Sequence, residues 1–144
     1  MRVIALDYGT QNIGVATCDE LEITVRPVET IRRQNRKRAL QRIKELVEEL
    51  GAQMVVIGLP LNMDGTAGPA ADRVMAFTDQ LRGRLNVPVI TQDERLTSRQ
   101  AEELMIEQGL SKDERRRRSD EFAAAIILQD YLSARRVEQV GKQG

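Results

Sequence analysis

The sequence predicts an α/β protein, in which helices flank a five-stranded mixed β-sheet. Three short apolar runs follow one another near the N-terminus with only turns between them, as in an antiparallel meander. From Leu40 onward, apolar residues recur at helical spacing and alternate with two further short apolar runs. The chain of 144 residues is 41% apolar, which suits one core rather than two. We therefore predict a single domain over residues 1–137 and a polar, frayed tail over residues 138–144.

The first three strands are predicted from their apolar runs. Residues 2–8 contain four consecutive apolar residues, which is typical of a strand covered on both faces of its sheet. A turn over residues 9–12 leads to a second strand over residues 13–18, and residues 24–31 form the third. Because Pro27 has no backbone donor, this third strand is expected at an edge or an irregularity of the sheet.

The later elements are predicted from changes of period and from residues that begin or end helices. Gly51 is a plausible stop for the first helix, and Pro69 suits the first turn of the second. Thr97 and Gln100 resemble a capping box, and Ser119 is a candidate cap for the last helix. The predicted elements are a helix containing Leu40, Ile43, Leu46, Val47 and Leu50, a strand at 54–57, a turn-rich loop at 58–65, a helix from Pro69, a strand at 87–91, a helix from Thr97 to about Gly109, and a helix from Ser119 to about Arg135.

The absence of several residue types excludes some kinds of catalysis and metal binding. The chain has no histidine, which removes imidazole bases and histidine-ligated metals together. Cys18 is the only cysteine, so the chain has neither an internal disulfide nor a multi-cysteine zinc site. Trp is absent and there are only two Phe and two Tyr, so stacking of bases on aromatic side chains is not expected. Without a long apolar run or a leader-like N-terminus, we expect a cytoplasmic protein with no membrane association.

Two acidic positions follow predicted strands. Asp7 stands where a buried strand ends, the region in which open α/β sheets present ligands, although it could equally cap the turn through Thr10 or Gln11. Asp93 and Glu94 follow the last strand in the corresponding place. Because adjacent side chains of an extended segment point to opposite faces, one of these two is expected to face the site, and we choose Glu94. Its alternative role is a surface ion pair.

Asp120 is predicted to lie on the apolar side of the last helix. It shares a helical stripe with Ala123, Ala124, Ile127 and Tyr131, and an acid on such a face needs a partner. The small alanines would let the helix approach the sheet closely. The alternative is that an acid near a helix N-terminus interacts favourably with the helix dipole, which is worth about 0.3–1 kcal/mol and requires no metal.

Three converging carboxylates would repel one another unless a cation offsets their charge. Mg²⁺ or Mn²⁺ fits best, since both prefer oxygen ligands. Two such ions could activate water and stabilise the leaving oxygen in phosphodiester hydrolysis without any histidine. We therefore predict Asp7, Glu94 and Asp120 as metal ligands and catalytic residues.

The 22 basic and 22 acidic side chains cancel, but the basic ones are clustered. From Arg32 to Lys44 there are seven basic residues and no acid, and four arginines precede Asp120. Such runs are usually solvated surface, yet arginine also binds phosphate through paired hydrogen bonds. Asn62 and Asp64 lie in the turn-rich loop, where they could contact substrate or only hold the turn. The predicted nucleic-acid-binding residues are Arg36, Arg38, Asn62, Arg95, Arg115, Arg116, Arg117 and Arg118.

Several of these motifs together resemble the YqgF (RuvX-like) family of bacterial proteins, which are described as candidate Holliday-junction resolvases and pre-16S ribosomal RNA nucleases. The resemblance runs from about Arg2 to Leu132. Its most specific parts are the Gly-Leu-Pro-Leu-Asn-Met-Asp-Gly loop and the Asp-Glu-Arg-Leu-Thr segment. The matching stretches are Leu6 to Thr10, Ile13 to Ala16, Val56 to Gly65, Asp93 to Thr97, and Asp120 with Ala123 to Gln129.

The resemblance implies an RNase H-like fold with helices on both faces of the sheet. It also implies a carboxylate site at Asp7, Glu94 and Asp120, with Mg²⁺ or Mn²⁺ as cofactor. Better-known resolvases of this fold carry their second acid at the end of the fourth strand, where this chain has Gly58-Leu59-Pro60. Glu94 would therefore have to supply that carboxylate from the fifth strand.

The resemblance leaves the substrate and the oligomeric state open. Trimming the 5′ end of pre-16S rRNA needs only a monomer, and the ribosome is then a possible partner. Symmetric cutting of a branched DNA junction requires a homodimer. A non-catalytic RNA- or ribosome-binding module is an alternative. In another alternative, the Asp-x-Gly-Thr motif is the phosphate-binding turn of an actin-like or sugar-kinase ATPase, although such proteins close two domains around the nucleotide.

Overall fold

The computed structural model describes residues 1–94 and 97–143, with the side chains of 97–99 and 139–143 excepted. Strands and helices alternate after an N-terminal group of three strands, in the predicted order. The elements are β1 (Val3–Tyr8), β2 (Asn12–Cys18), β3 (Val25–Arg32), α1 (Arg36–Leu50), β4 (Met54–Leu59), α2 (Pro69–Arg82), β5 (Val89–Asp93), α3 (Thr97–Glu107) and α4 (Lys112–Gln143).

The strands form one mixed sheet in the order β3-β2-β1-β4-β5. The first three are antiparallel, with Leu6 opposite Val15, whereas β4 and β5 run parallel to β1. The five-stranded mixed sheet and its meander are thus confirmed. The strand that carries Asp7 and the strand that Glu94 follows are not direct neighbours, because β4 lies between β1 and β5.

Helices cover both faces of the sheet, which confirms this part of the predicted fold. On one face, Ile4 and Leu6 of β1 pack in a core with α1 and α2, whose Ile43 and Leu81 are fully buried. On the other face, α4 packs against the alternate residues of β1, and α3 packs in turn against α4. Burial of each such large side chain contributes about 1.5–3 kcal/mol, which fixes the positions of the strand ends.

The approach of α4 to the sheet is unusually close at β2. A Cβ added to Gly14 would lie only 1.8 Å from the backbone oxygen of Asp120. Ala16 and Ala124, both fully buried, pack in the same interface. Small residues on both elements therefore let the helix backbone rest on the strand, as the run of alanines predicts.

The last helix differs from the prediction at both ends. It begins at Lys112 rather than beside Ser119, because Ser111 and Glu114 form the capping box: the Glu114 amide donates to the Ser111 hydroxyl over 3.2 Å, and the Ser111 amide donates to the Glu114 carboxylate over 3.2 Å. Arg115 to Arg118 are consequently helical. The helix also continues past Arg135 to Gln143, so most of the tail predicted to be frayed has a helical backbone, while Gly144 lies outside the described residues.

Other local signals are confirmed. Gly51 ends α1 in the left-handed conformation, with φ of 64°, and Pro69 occupies the first turn of α2. The expected capping role of the Thr97 side chain lies outside the described residues. No helix among those described combines the length and apolar composition of a membrane span.

Candidate active site

Asp7 and Asp120 form a hydrogen-bonded pair of carboxyl groups. Asp7 lies near the end of β1, one position beyond the registered pair Leu6 and Ile57. Since side chains alternate along a strand, Asp7 points to the α4 face, like Val3 and Ala5. Asp120 reaches it from α4, and their side chains share a hydrogen bond. The structure thus brings together two of the three predicted acids.

Burial changes the protonation of this pair. Desolvation, followed by the charge of Asp120 and the hydrogen bond to it, raises the pKa of Asp7 from 3.8 to about 7. Desolvation also raises the pKa of Asp120, while hydrogen bonds from Asn12 and Asp7 act to lower it. Below about pH 7, Asp7 therefore holds the proton and donates to Asp120. Such a pair favours a cation that would replace the shared proton.

Glu94 lies on the same face of the sheet, across β4. Its Cγ would be 3.5 Å from a Cβ added to Gly58, and Ile127 of α4 packs over the same glycine. The backbone amide of Glu94 donates to the Leu59 carbonyl over 3.0 Å, which holds the residue against β4. Asp93, by contrast, is exposed. Gly58 therefore leaves the space through which the Glu94 side chain extends toward the α4 face.

The three acids do not close into one cluster. Within residues 1–94 and 97–143, no group of three His, Cys, Asp or Glu side chains is close enough to hold a metal ion. A Mg²⁺ ion, however, is commonly bound by one or two carboxylates, with waters and substrate phosphates as its other ligands. The Asp7–Asp120 pair fits that donor set, and Glu94 stands on the same face at a longer reach.

A cleft of about 300 Å³ opens over the pair. Arg115 and Arg116 of α4 line it together with Asp7 and Asp120, so guanidinium groups stand beside the carboxylates. Glu102 of α3 also lines the cleft and was not predicted. Ala101 and Met105 are one turn apart and are buried against α4, but this spacing does not distinguish Glu102 from its neighbour Glu103, so the sequence carries no specific signal for it.

The four arginines that precede Asp120 have different positions. Arg115 donates to the Leu110 carbonyl over 3.0 Å while lining the cleft. Arg118 instead pairs with the buried Glu121, with 2.7 Å between Nε and Oε1, and lies over Phe122. Arg117 is exposed and does not line the cleft. The helical repeat thus directs only part of the cluster toward the carboxylates.

The remaining predicted nucleic-acid residues lie around this edge of the sheet. Arg36 and Arg38 are exposed in the first turn of α1, which contains no acid. The Asn62 amide donates to the Thr66 hydroxyl over 2.9 Å, and Asp64 accepts from the same hydroxyl over 2.6 Å. Both residues therefore hold their loop together. Arg95 lies outside the described residues.

Sequence reasoning missed the residues that hold the turn after Asp7. The amide of Gly9 donates to the Asn12 carbonyl over 2.9 Å, so the turn is closed by its own backbone rather than by Asp7. Arg33 donates to the carbonyls of Gly9 and Thr10 and lies 3.9 Å above the ring of Tyr8. A hydrogen bond from Asn12 then orients Asp120. The turn itself was predicted, but the contacts of Arg33 and of the Asn12 side chain have no local sequence signal, since each joins separate elements.

Comparison with known proteins places this geometry in a family. The family model RuvX, described as Holliday junction resolvase, matches residues 1–134. The chain belongs to the RuvX family. This membership confirms the resemblance seen in the sequence motifs and the nuclease class that it implied.

Relatives and solved structures agree with this assignment. A RuvX relative from Desulforudis audaxviator is 42% identical over 94% of this chain and 96% of its own, and one from Roseiflexus is 44% identical over 94% and 96%. Both carry the name "Putative pre-16S rRNA nuclease". Among solved structures, Thermus thermophilus RuvC in complex with a Holliday junction substrate has a TM-score of 0.59 at 18% identity, covering 94% of this chain and 95% of RuvC. At that identity, the likeness to RuvC concerns the fold.

Proposed function

We propose that this RuvX protein is a metal-dependent nuclease that hydrolyses phosphodiester bonds and matures the 5′ end of pre-16S rRNA. The observation that carries the proposal is the half-buried, hydrogen-bonded Asp7–Asp120 pair in a cleft that Arg115 and Arg116 also line. The names of relatives at 42% and 44% identity favour the rRNA substrate. Work on that substrate would take place in the cytoplasm, with the assembling ribosome as partner.

In this proposal Mg²⁺ or Mn²⁺ is held by Asp7 and Asp120, with Glu94 contributing from across Gly58. When bound, the cation supplies positive charge that polarises a phosphoryl oxygen and favours ionisation of a water nucleophile. Loss of the shared proton from Asp7 makes both carboxylates available to bind the cation. Asn12 holds Asp120 by a hydrogen bond, so the pair does not have to reorganise when substrate arrives.

The arginines bind and orient the phosphate. Arg115 and Arg116 line the cleft from α4, together with Asp7, Glu102 and Asp120. A guanidinium donates two parallel hydrogen bonds to phosphate oxygens, which fixes the direction of the scissile bond. Because the carboxylates and the arginines line one cleft, the phosphate is positioned and attacked in the same place.

A second candidate function is cleavage of four-way DNA junctions. The description of the family model as Holliday junction resolvase favours it. Both substrates present the same phosphodiester to the same carboxylates. They differ in the oligomeric state required, because symmetric cutting of a junction needs two active sites.

The test compares both substrates with matched variants. Wild-type protein is incubated with a pre-16S RNA fragment that carries its 5′ extension, or with a four-way DNA junction, in the presence of Mg²⁺ or Mn²⁺. We expect cleavage of the RNA that Asp7→Asn and Asp120→Asn abolish and that the exposed control Asp93→Asn retains. Equal cleavage by wild type and both active-site variants would refute the assignment, and exclusive cleavage of the junction would favour the second function.

A further inference from the structure

A second concave surface lies beside the carboxylate cleft. It is a groove of about 580 Å³ between the turn that follows β1 and the segment that joins β3 to α1. We propose that this groove binds the phosphate–sugar backbone of the substrate strand next to the bond that is cut. The proposal rests on the nuclease function proposed above and assigns it a second contact site. The groove is lined by Thr10, Gln11, Asn12, Arg32, Arg33 and Gln34.

The groove and the active site share Asn12. This residue lines the groove, and its side chain hydrogen-bonds to Asp120 in the carboxylate pair. Asn12 is also the registered partner of Arg32 across the β2–β3 ladder. Neighbouring strands are about 5 Å apart. Arg32 therefore lies one strand spacing beyond the residue that hydrogen-bonds to Asp120, so a strand whose phosphate is at the carboxylate pair would continue toward Arg32.

The charge of the groove suits a phosphate and differs from that of the cleft. Two of its six lining residues are arginines and none is acidic. Arg33 is engaged with the carbonyls of Gly9 and Thr10, so it shapes the wall. Arg32 is exposed, and no carboxylate in the described part of the chain pairs with it. Its guanidinium is thus available for a ligand.

Arg42 shows what a structural arginine looks like in the same basic segment. It forms ion pairs with Glu29, Glu45 and Glu49 at 2.7, 3.3 and 3.2 Å. Arg32 has no such arrangement. The basic surface continues from Arg32 into the exposed Arg36 and Arg38 of α1, where positive charge opposes the helix dipole and so does not serve the stability of the helix.

The other lining residues fit a sugar–phosphate backbone. The amides of Gln11 and Gln34 and the hydroxyl of Thr10 both donate and accept hydrogen bonds, as contacts to phosphate oxygens and ribose hydroxyls require. The groove offers no aromatic ring to a base, because Tyr8 nearby is covered by Phe77 at 4.4 Å and by Arg33 on its other face. Recognition here is therefore expected to be independent of base sequence.

The experiment measures binding without cleavage. A fluorescein-labelled single-stranded RNA of mixed sequence is titrated with protein in EDTA, and anisotropy is recorded at several salt concentrations. The variant is Arg32→Gln. The matched control is Arg26→Gln, which removes an exposed arginine from the same strand at the opposite end of the sheet, where Arg26 pairs with Thr17.

We expect Arg32→Gln to weaken binding roughly tenfold at low salt, as for loss of one charged hydrogen-bond partner. The slope of log K against log salt should become shallower by about 0.7, the value for one phosphate contact on a single strand. Arg26→Gln should retain wild-type affinity and slope. Equal affinity of Arg32→Gln and Arg26→Gln for the RNA would refute backbone binding by the groove. Cleavage by the wild type would in that case still support the nuclease function. Absence of both binding and cleavage by the wild type would instead remove the proposed function itself.

Discussion

The missing side chain of Gly14 is what allows Asp120 to reach Asp7. A Cβ at Gly14 would lie 1.8 Å from the Asp120 carbonyl oxygen and 2.6 Å from the Glu121 amide nitrogen, far inside van der Waals contact. The backbone of α4 therefore rests directly on β2 at the residue that carries the second carboxylate. The separation between the two acids is set by a backbone contact rather than by flexible side chains.

Gly14→Ala should displace α4 and separate the carboxylates. Overpacking of this kind costs about 1–3 kcal/mol of stability, and here the moved segment carries Asp120. We expect a lower urea midpoint and a loss of cleavage larger than the change in folded fraction explains. Gly83→Ala is the control, since its Cβ would meet only ordinary contacts of 3.5 Å or more. Full activity of Gly14→Ala would contradict this account of the site.

Asp7→Asn should stabilise the metal-free protein, increasingly so as the pH rises. The pKa of Asp7 is raised from 3.8 to about 7, so between these values the folded protein binds more protons than the unfolded chain. The contribution of the Asp7 carboxyl to stability is therefore fully present below about pH 4 and is lost as the pH rises through about 7. An Asn stays neutral in both states and avoids this loss, which amounts to at most about 4 kcal/mol for the full shift. Urea unfolding in EDTA at pH 4, 6 and 8 measures the difference, while cleavage by the same variant should be abolished.

Asp19→Asn is a control for which the expected change in stability with pH has the opposite sign. The pKa of Asp19 is lowered, first by a hydrogen bond from the backbone of Thr24, so its carboxylate stabilises the fold above the ordinary aspartate pKa. That contribution is lost as the pH falls, and Asp19→Asn should therefore be less stable than wild type at pH 8 and nearly equal to it in acid. An Asp7→Asn effect of the same size at pH 4 and pH 8 would show that burial does not perturb this carboxyl.

Much of the fold was predictable because its signals are local. Gly51, Pro69 and the apolar runs of β1 and β4 each mark an element within a few residues, and the alternation of these elements indicates the α/β class. The start of α4 was misplaced because two caps compete: Ser119 precedes the apolar stripe, but Ser111 with Glu114 satisfies the helix end earlier.

The site was predictable only in part, for a physical reason. Asp7 follows a buried strand, and Asp120 lies on the apolar face of a helix. A carboxylate in such a place needs a partner, so the sequence alone identifies both residues as candidates. Asn12, Gly14 and Arg33 act through contacts between elements that are distant in sequence, and their residue types are common in turns and on surfaces. Their roles depend on the path of α4 over β2, which no local pattern encodes.

Divalent cations should stabilise the wild type through the carboxylate pair. A ligand that binds only the folded state raises the unfolding temperature with its concentration, and Mg²⁺ or Mn²⁺ must also displace the proton shared by Asp7 and Asp120. We expect a cation-dependent rise in Tm that is larger at pH 8 than at pH 6. It should vanish in Asp7→Asn and Asp120→Asn, weaken in Glu94→Gln, and persist in Asp93→Asn. A rise of equal size in all these variants would place the cation elsewhere.

Substitution of two adjacent arginines distinguishes phosphate binding in the cleft from a general effect of surface charge. Arg116 lines the cleft with Asp7 and Asp120, whereas Arg117 is exposed outside it, and the two substitutions remove the same charge one residue apart. A guanidinium that binds the scissile phosphate should contribute roughly 1.5–3 kcal/mol, the range for hydrogen bonds to charged groups. Arg116→Gln is therefore expected to lower kcat/KM by about 10-fold to 100-fold, while Arg117→Gln stays within about threefold of wild type because a solvated surface charge contributes little.

Steady-state cleavage of the pre-16S RNA fragment measures both, and circular dichroism shows whether α4 stays helical. Equal losses in the two variants would mean that the cluster attracts nucleic acid by its total charge, and that the cleft does not hold the phosphate through Arg116.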